Sequence, residues 1–191
     1  MTGDGHADGR PAVVLDVLPH GRSDDDRPQY QKEPLAYAVG VERFDLFELV
    51  FDAAPDDLSI GDRIDIDETD ARLRTVDHDD LSGGARSELE YVVEDIVDDE
   101  TDRFVGFYND AQPITLRMHR LDLLRGIGTK LRNAIIDERK RGPFEDFEDL
   151  EERVDSLHDP KGIIATRIME EVTEDDLKYR AFVGGEDETG R

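Results

Sequence analysis

The sequence predicts an α+β protein: a small antiparallel β-barrel followed by an all-α domain. Three observations carry this. Up to about residue 80, β-branched and alternating runs are separated by turns, with no helix between them. After Asp80 the apolar residues recur at spacings of three and four, the period of a helix. The turns that join the later helices are short, which forces neighbouring helices to pack side by side.

Residues 1–10 carry no apolar pattern and are expected to be disordered. The barrel is expected over 11–80. It opens with the β-branched run Ala12 to Leu18, followed by a long loop rich in charge and turn formers (PHGRSDDDRPQYQKEP). LAYAVGVERFDLFELVF (35–51) supplies further strands. SIGDRIDI (59–66) reads as a half-buried strand with Ile60, Ile64 and Ile66 on one face, and ARLRTVD (71–77) as another. Most of the aromatics Tyr37, Phe44, Phe47 and Phe51 are read as core side chains rather than stacking platforms. A helical connector is expected over 81–114, with Ser82 as its cap and Ala85, Leu89, Val93, Ile96 and Val97 on its apolar face. Phe104, Phe107 and Tyr108 continue that face to Asn109, and Pro113 breaks it. The all-α domain is expected over 115–183, and a flexible tail over 184–191.

Inside the α half lies LLRGIGTKL (123–131). A helix capped by Thr115, with Leu116, Leu121 and Leu124 on one face and His119 along it, is expected before the loop. A second helix with Leu131 and Ile135 is expected after it. Gly126 and Gly128 permit positive φ and close approach of a ligand to the backbone, while Ile127 points into the core. The second helix then presents the free N–H groups of Gly128, Thr129 and Lys130 at the positive end of its dipole, which suits an anion.

This stretch resembles the helix-hairpin-helix module of DNA repair and DNA-uptake proteins. The matching residues are Leu124, Gly126, Ile127 and Gly128, then Ala134, Ile135 and Ile136, with an extension at Gly142, Pro143, Phe144, Phe147 and Leu150. Two positions depart from the pattern: Arg125 replaces the usual proline, and Arg132 replaces a small residue, which implies a different packing of the helices there. The resemblance implies a grip on nucleic-acid phosphate that ignores base sequence, by Arg125, Gly126, Ile127, Gly128, Thr129, Lys130 and Arg132. Between Thr115 and Gly142 there are eight basic residues against three acidic, a local net of +5 in a chain of net charge -25. A clustered basic patch is the footprint of nucleic-acid binding. A second helix pair spans 149 to about 172. There Asp159 and Pro160 stand in place of a Gly-x-Gly loop, so it is read as completing the core.

Across nearly the full length, VLDVLPHGR, YQKEPLAYAVGVERFDLFELV, IGDRI, ARSELEYVVEDIV, RFVGFYN and GPFEDFEDLEERV resemble one archaeal family, domain of unknown function 655. That resemblance implies an OB-like barrel before the helix-hairpin-helix part. It also implies nucleic acid as partner, RNA favoured over DNA, and ribosome-associated proteins as further candidates. No catalytic residue comes with the family, and a non-enzymatic protein without cofactor is expected.

The 49 acidic residues against 24 basic resemble the cytosolic proteins of extreme halophiles. At about 1 M salt the Debye length is roughly 3 Å, which screens such a surface against itself. Absence of cysteine excludes disulfides and thiolate metal sites. The five histidines show no ligand spacing, and DIDETD (65–70) lacks the glycine and terminal glutamate of a calcium loop, so no metal is expected. Met1 to Gly9 lacks the features of a signal peptide and no run of about 20 apolar residues exists, so a cytoplasmic protein without membrane contact is expected.

Overall fold

The computed structural model describes residues 9–184. Most of the N-terminal stretch and tail expected at 1–10 and 184–191 lie outside that range. The protein is a mixed α/β chain with a five-stranded antiparallel sheet and five α-helices. It divides into two compact units, one ending at Val92 and the other beginning at Val93.

In the first unit the strands are β1 (Pro11–Leu18), β2 (Leu35–Gly40), β3 (Leu46–Val50), β4 (Arg63–Asp65) and β5 (Arg72–Val76), in the order β4-β1-β2-β3-β5. The sheet is open rather than the closed barrel expected, because the edge strands β4 and β5 do not pair with each other. The physical reason lies in residues 59–66. Ser59 and Asp62 close a turn, with Ser59 N donating to Asp62 Oδ2 at 2.9 Å and Asp62 N to Ser59 O at 3.1 Å. That shrinks β4 to three residues and leaves Ile60 half exposed, while Ile66 is buried with Ala12, Ala38, Phe47 and Leu49.

Paired residues in an antiparallel sheet share a face. The face opposite that cluster is therefore built in rows. One is apolar: Val13, Val39, Leu46 and Val76. The next is polar: Asp16, Tyr37, Glu48 and Arg74. The third, Leu18, Leu35, Val50 and Arg72, lies where the 19–34 loop leaves the sheet. A bulge between Val14 and Asp16 turns Leu15 inward, which explains four consecutive buried residues from Ala12. Tyr37, Phe44 and Phe47 are buried, as core side chains should be. The expected cap holds: Ala85 N donates to Ser82 Oγ at 3.0 Å, and that hydroxyl donates to Asp16 Oδ2 at 2.6 Å.

Helix α1 (Gly83–Asp99) runs from the first unit into the second. The remaining helices are α2 (Thr101–Asp110), α3 (Thr129–Arg139), α4 (Phe147–Arg153) and α5 (Pro160–Thr173). The helix expected from Thr115 is absent. Thr115 Oγ1 accepts from the amides of Arg117 and Met118 at 3.2 and 3.0 Å, and Pro113 bridges His119 as in a strand pair. A hydroxyl that satisfies local amides competes with the helix ladder. Only a 3-10 turn, Arg120–Leu123, precedes the glycine loop, and Leu116 is fully exposed at the tip of the turn before it.

The second unit closes on its own C-terminal stretch. The buried Glu171 carboxylate of α5 pairs with Arg167 at 3.0 Å and accepts the amides of Phe182 and Val183 at 2.9 Å, with that of Ala181 alongside. Phe182 packs against Phe107, with centroids 4.9 Å apart. Removing one partner of a buried pair leaves an uncompensated charge at about 3–5 kcal/mol. Glu171→Ala, which leaves Arg167 to Glu170 and the Tyr179 carbonyl and the amides of 181–183 without their acceptor, is expected to lower unfolding stability by up to that order in a urea titration.

Candidate functional site

The loop from Leu124 to Thr129 is set by short backbone bonds. Leu124 N donates to Leu121 O at 3.2 Å and Ile127 N to Leu124 O at 3.1 Å. Gly126 carries the reversal at φ +86°, a conformation that disfavours any side chain. Ile127 is buried together with Leu121, Leu124 and Ile135. Arg125, Gly126, Gly128, Thr129 and Lys130 are exposed around that anchor.

Gly128 differs from expectation. Its φ of -89° and ψ of -175° are ordinary extended backbone, the geometry of an N-cap residue, so positive φ is needed at Gly126 alone. What its missing side chain provides is access, since a Cβ there would meet nothing within 4 Å. The first-turn amides of α3 receive no side-chain cap. The next two helices are closed differently. Asp146 Oδ1 accepts from Asp149 N at 2.7 Å on α4, and Asp159 Oδ1 from Gly162 N at 3.0 Å on α5.

The loop before α5 repeats the logic of the loop before α3. Ser156 takes positive φ at 70°, Leu157 is buried, and its N–H donates to Val154 O at 3.3 Å. There, however, a carboxylate of the chain itself occupies the anion position. The Asp-Pro step before α5 carries that cap in plain view. Its meaning emerges only beside the uncapped Gly128.

Pairing reduces the basic island. Arg125 reaches Glu170 at 2.8 Å, and Arg132 binds Asp122 Oδ2 at 2.8 Å. Lys140 and Arg141 pair with Asp137 and Glu138, at 3.6 and 3.3 Å. Arg139 donates to Tyr108 O at 3.0 Å, and Arg120 to Ala181 O at 3.4 Å while covering the Phe107 ring. Among the described residues, Lys130 and Arg117 form no ion pair. Arg132 thus braces the loop from within: Asp122 Oδ2 also accepts the His119 amide at 2.8 Å, tying the 3-10 turn to the first turns of α3. The short 3-10 turn and this ion pair accommodate an arginine where two packed helices would need a small residue.

Sequence reasoning missed the polar row of the first unit. Glu48 is buried beside Arg22, with Arg74 at 3.8 Å. The signal was there: a single charged residue interrupts each of the apolar strands AVVLDVL and LFELV. Burial raises the pKa of the Tyr37 phenol next to them.

A family described as "Protein of unknown function (DUF655)" matches residues 8–184. An uncharacterized protein of Methanocaldococcus jannaschii is 40% identical over 179 residues, covering 90% of this chain and 78% of that protein. The crystal structure of Af1531 from Archaeoglobus fulgidus is similar at a TM-score of 0.81 and 38% identity, covering 92% of this chain and 99% of that one. No helix of the described residues is long and apolar enough to cross a membrane.

His119 couples the site to pH. It is buried, and its Nδ1 accepts the Leu121 amide at 3.1 Å, which requires an unprotonated Nδ1. Burial first, then Arg139, holds its pKa below the ordinary 6.5. The unfolded chain therefore takes up the proton first, and the contribution of His119 to stability, complete above 6.5, is lost as pH falls toward the folded value. Stability of the second unit is expected to decline on acidification through that window, and His119→Asn is expected to remove this part of the decline. An NMR titration of His119 beside pH-dependent unfolding checks both.

Proposed function

The chain belongs to the DUF655 family, and we propose that it is a non-enzymatic nucleic-acid-binding protein that grips phosphate at the start of α3 in the manner of a helix-hairpin-helix, with RNA favoured over DNA. One observation carries the reading. The amides at the start of α3 lie open behind an exposed Gly128, whereas α4 and α5 fill the same position with their own aspartates. Unpaired N–H groups at the positive end of a helix dipole are an anion site. Lys130 supplies the charge that remains unpaired there, and Arg125, largely exposed, can exchange Glu170 for a phosphate oxygen. Ile127 and the Asp122–Arg132 pair fix the donors in place.

The strand order of the first unit supports an OB-like reading of that half. With β4 and β5 running in the same direction, closure would need a parallel β4–β5 pair; OB-like barrels take oligonucleotides on the face of strands 2 and 3.

The chemistry suits a cytoplasm rich in salt, the setting proposed for a chain of net charge -25. Loose ion pairing with phosphate weakens steeply as salt rises. Rigid backbone donors depend less on released counterions. That most arginines near the loop are already paired is consistent with a grip built on amides rather than on net charge.

A second reading, an adaptor docking on ribosome-associated or transcription proteins, is favoured by the fully exposed Leu116. Retention of a protein partner alone, with no nucleic acid after cross-linking in high salt, would favour it.

Gly128→Asp separates binding from folding. Gly128 already has the extended geometry of an N-cap and room for a side chain, so aspartate is expected to cap α3 as Asp146 caps α4. An N-cap aspartate in place of glycine typically adds about a few tenths of a kcal/mol of stability, and here it would fill the anion position. The expected result is a protein at least as stable as wild type whose affinity for structured RNA in molar potassium chloride falls more than about tenfold, or about 1.4 kcal/mol. Unchanged affinity removes the hairpin from the mechanism.

A further inference from the structure

The 19–34 loop and the β2-β3-β5 face enclose a cleft of about 370 Å³ in the first unit. Its floor is Leu35 and Val50, and one wall is the polar row at Glu48 and Arg74. A volume of this size lies within the range of small-ligand pockets and is too small for a helix or a duplex.

The charges lining it are nearly balanced. Arg22 is committed to the buried Glu48, and burial raises the pKa of the Tyr37 phenol in the same row. Arg27 grips Asp25 through Nε and Nη2, at 3.0 and 2.6 Å, and holds that carboxyl down to about 2. A bare phosphate finds no excess of positive charge here. Two groups are less committed. Arg74 is 61% exposed and only 3.8 Å from Glu48, leaving its outer N–H groups open. Asp24, exposed at the rim, is in no ion pair among the described residues. The cleft therefore offers a planar donor fork, a carboxylate acceptor and an apolar floor, while its other charges are internally neutralised.

We propose that this cleft receives one unpaired guanine. Guanine places the acceptors O6 and N7 along one edge, where an arginine fork fits bidentately, and the donors N1–H and N2–H along the next, where a carboxylate accepts. Adenine and uracil cannot offer that combination to an arginine and a carboxylate together. The ring would lie over Leu35 and Val50, and the planar Arg27–Asp25 pair supplies a further flat surface, as guanidinium planes do for splayed bases of single-stranded RNA. This deepens the nucleic-acid reading and rests on it for the source of the base. It adds a base-reading subsite in the first unit to the phosphate grip in the second.

The test uses nucleosides, which carry no phosphate and so leave the α3 site silent. Guanosine, adenosine and uridine are titrated into the full chain in molar potassium chloride, with backbone and methyl NMR shifts as readout. Guanosine is expected to shift Leu35, Val50 and Arg74 and to bind more than about fivefold tighter than the other two, a preference within the range of one bidentate pair. Arg74→Lys, which keeps the charge and loses the fork, is expected to erase the preference, and so is Asp24→Asn. Both positions are exposed, and an unchanged thermal midpoint verifies the fold. Guanosine shifts absent from the cleft, equal affinity for all three nucleosides, or an unchanged preference in both variants would each overturn the proposal. Inorganic phosphate titrated in parallel reports on the Gly128 to Lys130 amides, so failure of the hairpin reading shows separately.

Discussion

Burial of a single side chain, Ile127, sets the form of the second unit's candidate site. Once that isoleucine is inside with Leu121, Leu124 and Ile135, the residues on either side must turn outward within one position. The reversal falls on Gly126, and the next outward position becomes the N-cap of α3. The same constraint acts at Leu157, where the reversal falls on Ser156 and the loop runs one residue longer. Two loops with one anchoring scheme thus differ in what stands at the helix start: a bare glycine in one, an aspartate in the other. The difference is chemical rather than architectural, and it makes the first loop the one read as a site.

Electrostatics act on a second level. A local net of +5 describes a segment of sequence. In three dimensions most of those cations already serve as struts: Arg132 to Asp122, Arg139 to a backbone carbonyl, Arg141 to Glu138. Arg153, from α4, gathers the carbonyls of Glu138 and Gly142, both at 2.8 Å, where α3 ends, and stacks over Phe144. Arginine suits such work because its planar fork can satisfy several acceptors at once. Its excess over lysine in this chain, 19 against 5, matches that use.

Much of this was legible in the sequence because periodicity and capping are local. The positions of β1, β2, β3 and β5, the Ser82 cap, the apolar face of α1 and the inward Ile127 all follow from spacing within a dozen residues. The misreadings also have local causes. Residues 59–62 show an alternating pattern, but the Ser59–Asp62 turn outcompetes the strand, and Thr115 satisfies its own neighbours instead of starting a helix. What the sequence hid was tertiary pairing. Nothing near Glu48 in the chain announces Arg22, and nothing near Asp122 announces Arg132. That β4 and β5 remain unpaired edges is likewise a question of tertiary geometry, which pattern alone does not encode.

The contact of Glu171 with residues 181–183 has a further consequence. Stretches near a chain end are usually treated as expendable padding. Here the backbone of Ala181, Phe182 and Val183 takes the place of solvent around a buried carboxylate, and the Phe182 ring is part of the wall against which α2 rests. Shortening the chain before Ala181 would not trim an appendage but open the interior of the second unit. These residues are the keystone of that unit, and its interior is complete only when the 181–183 backbone is seated on Glu171.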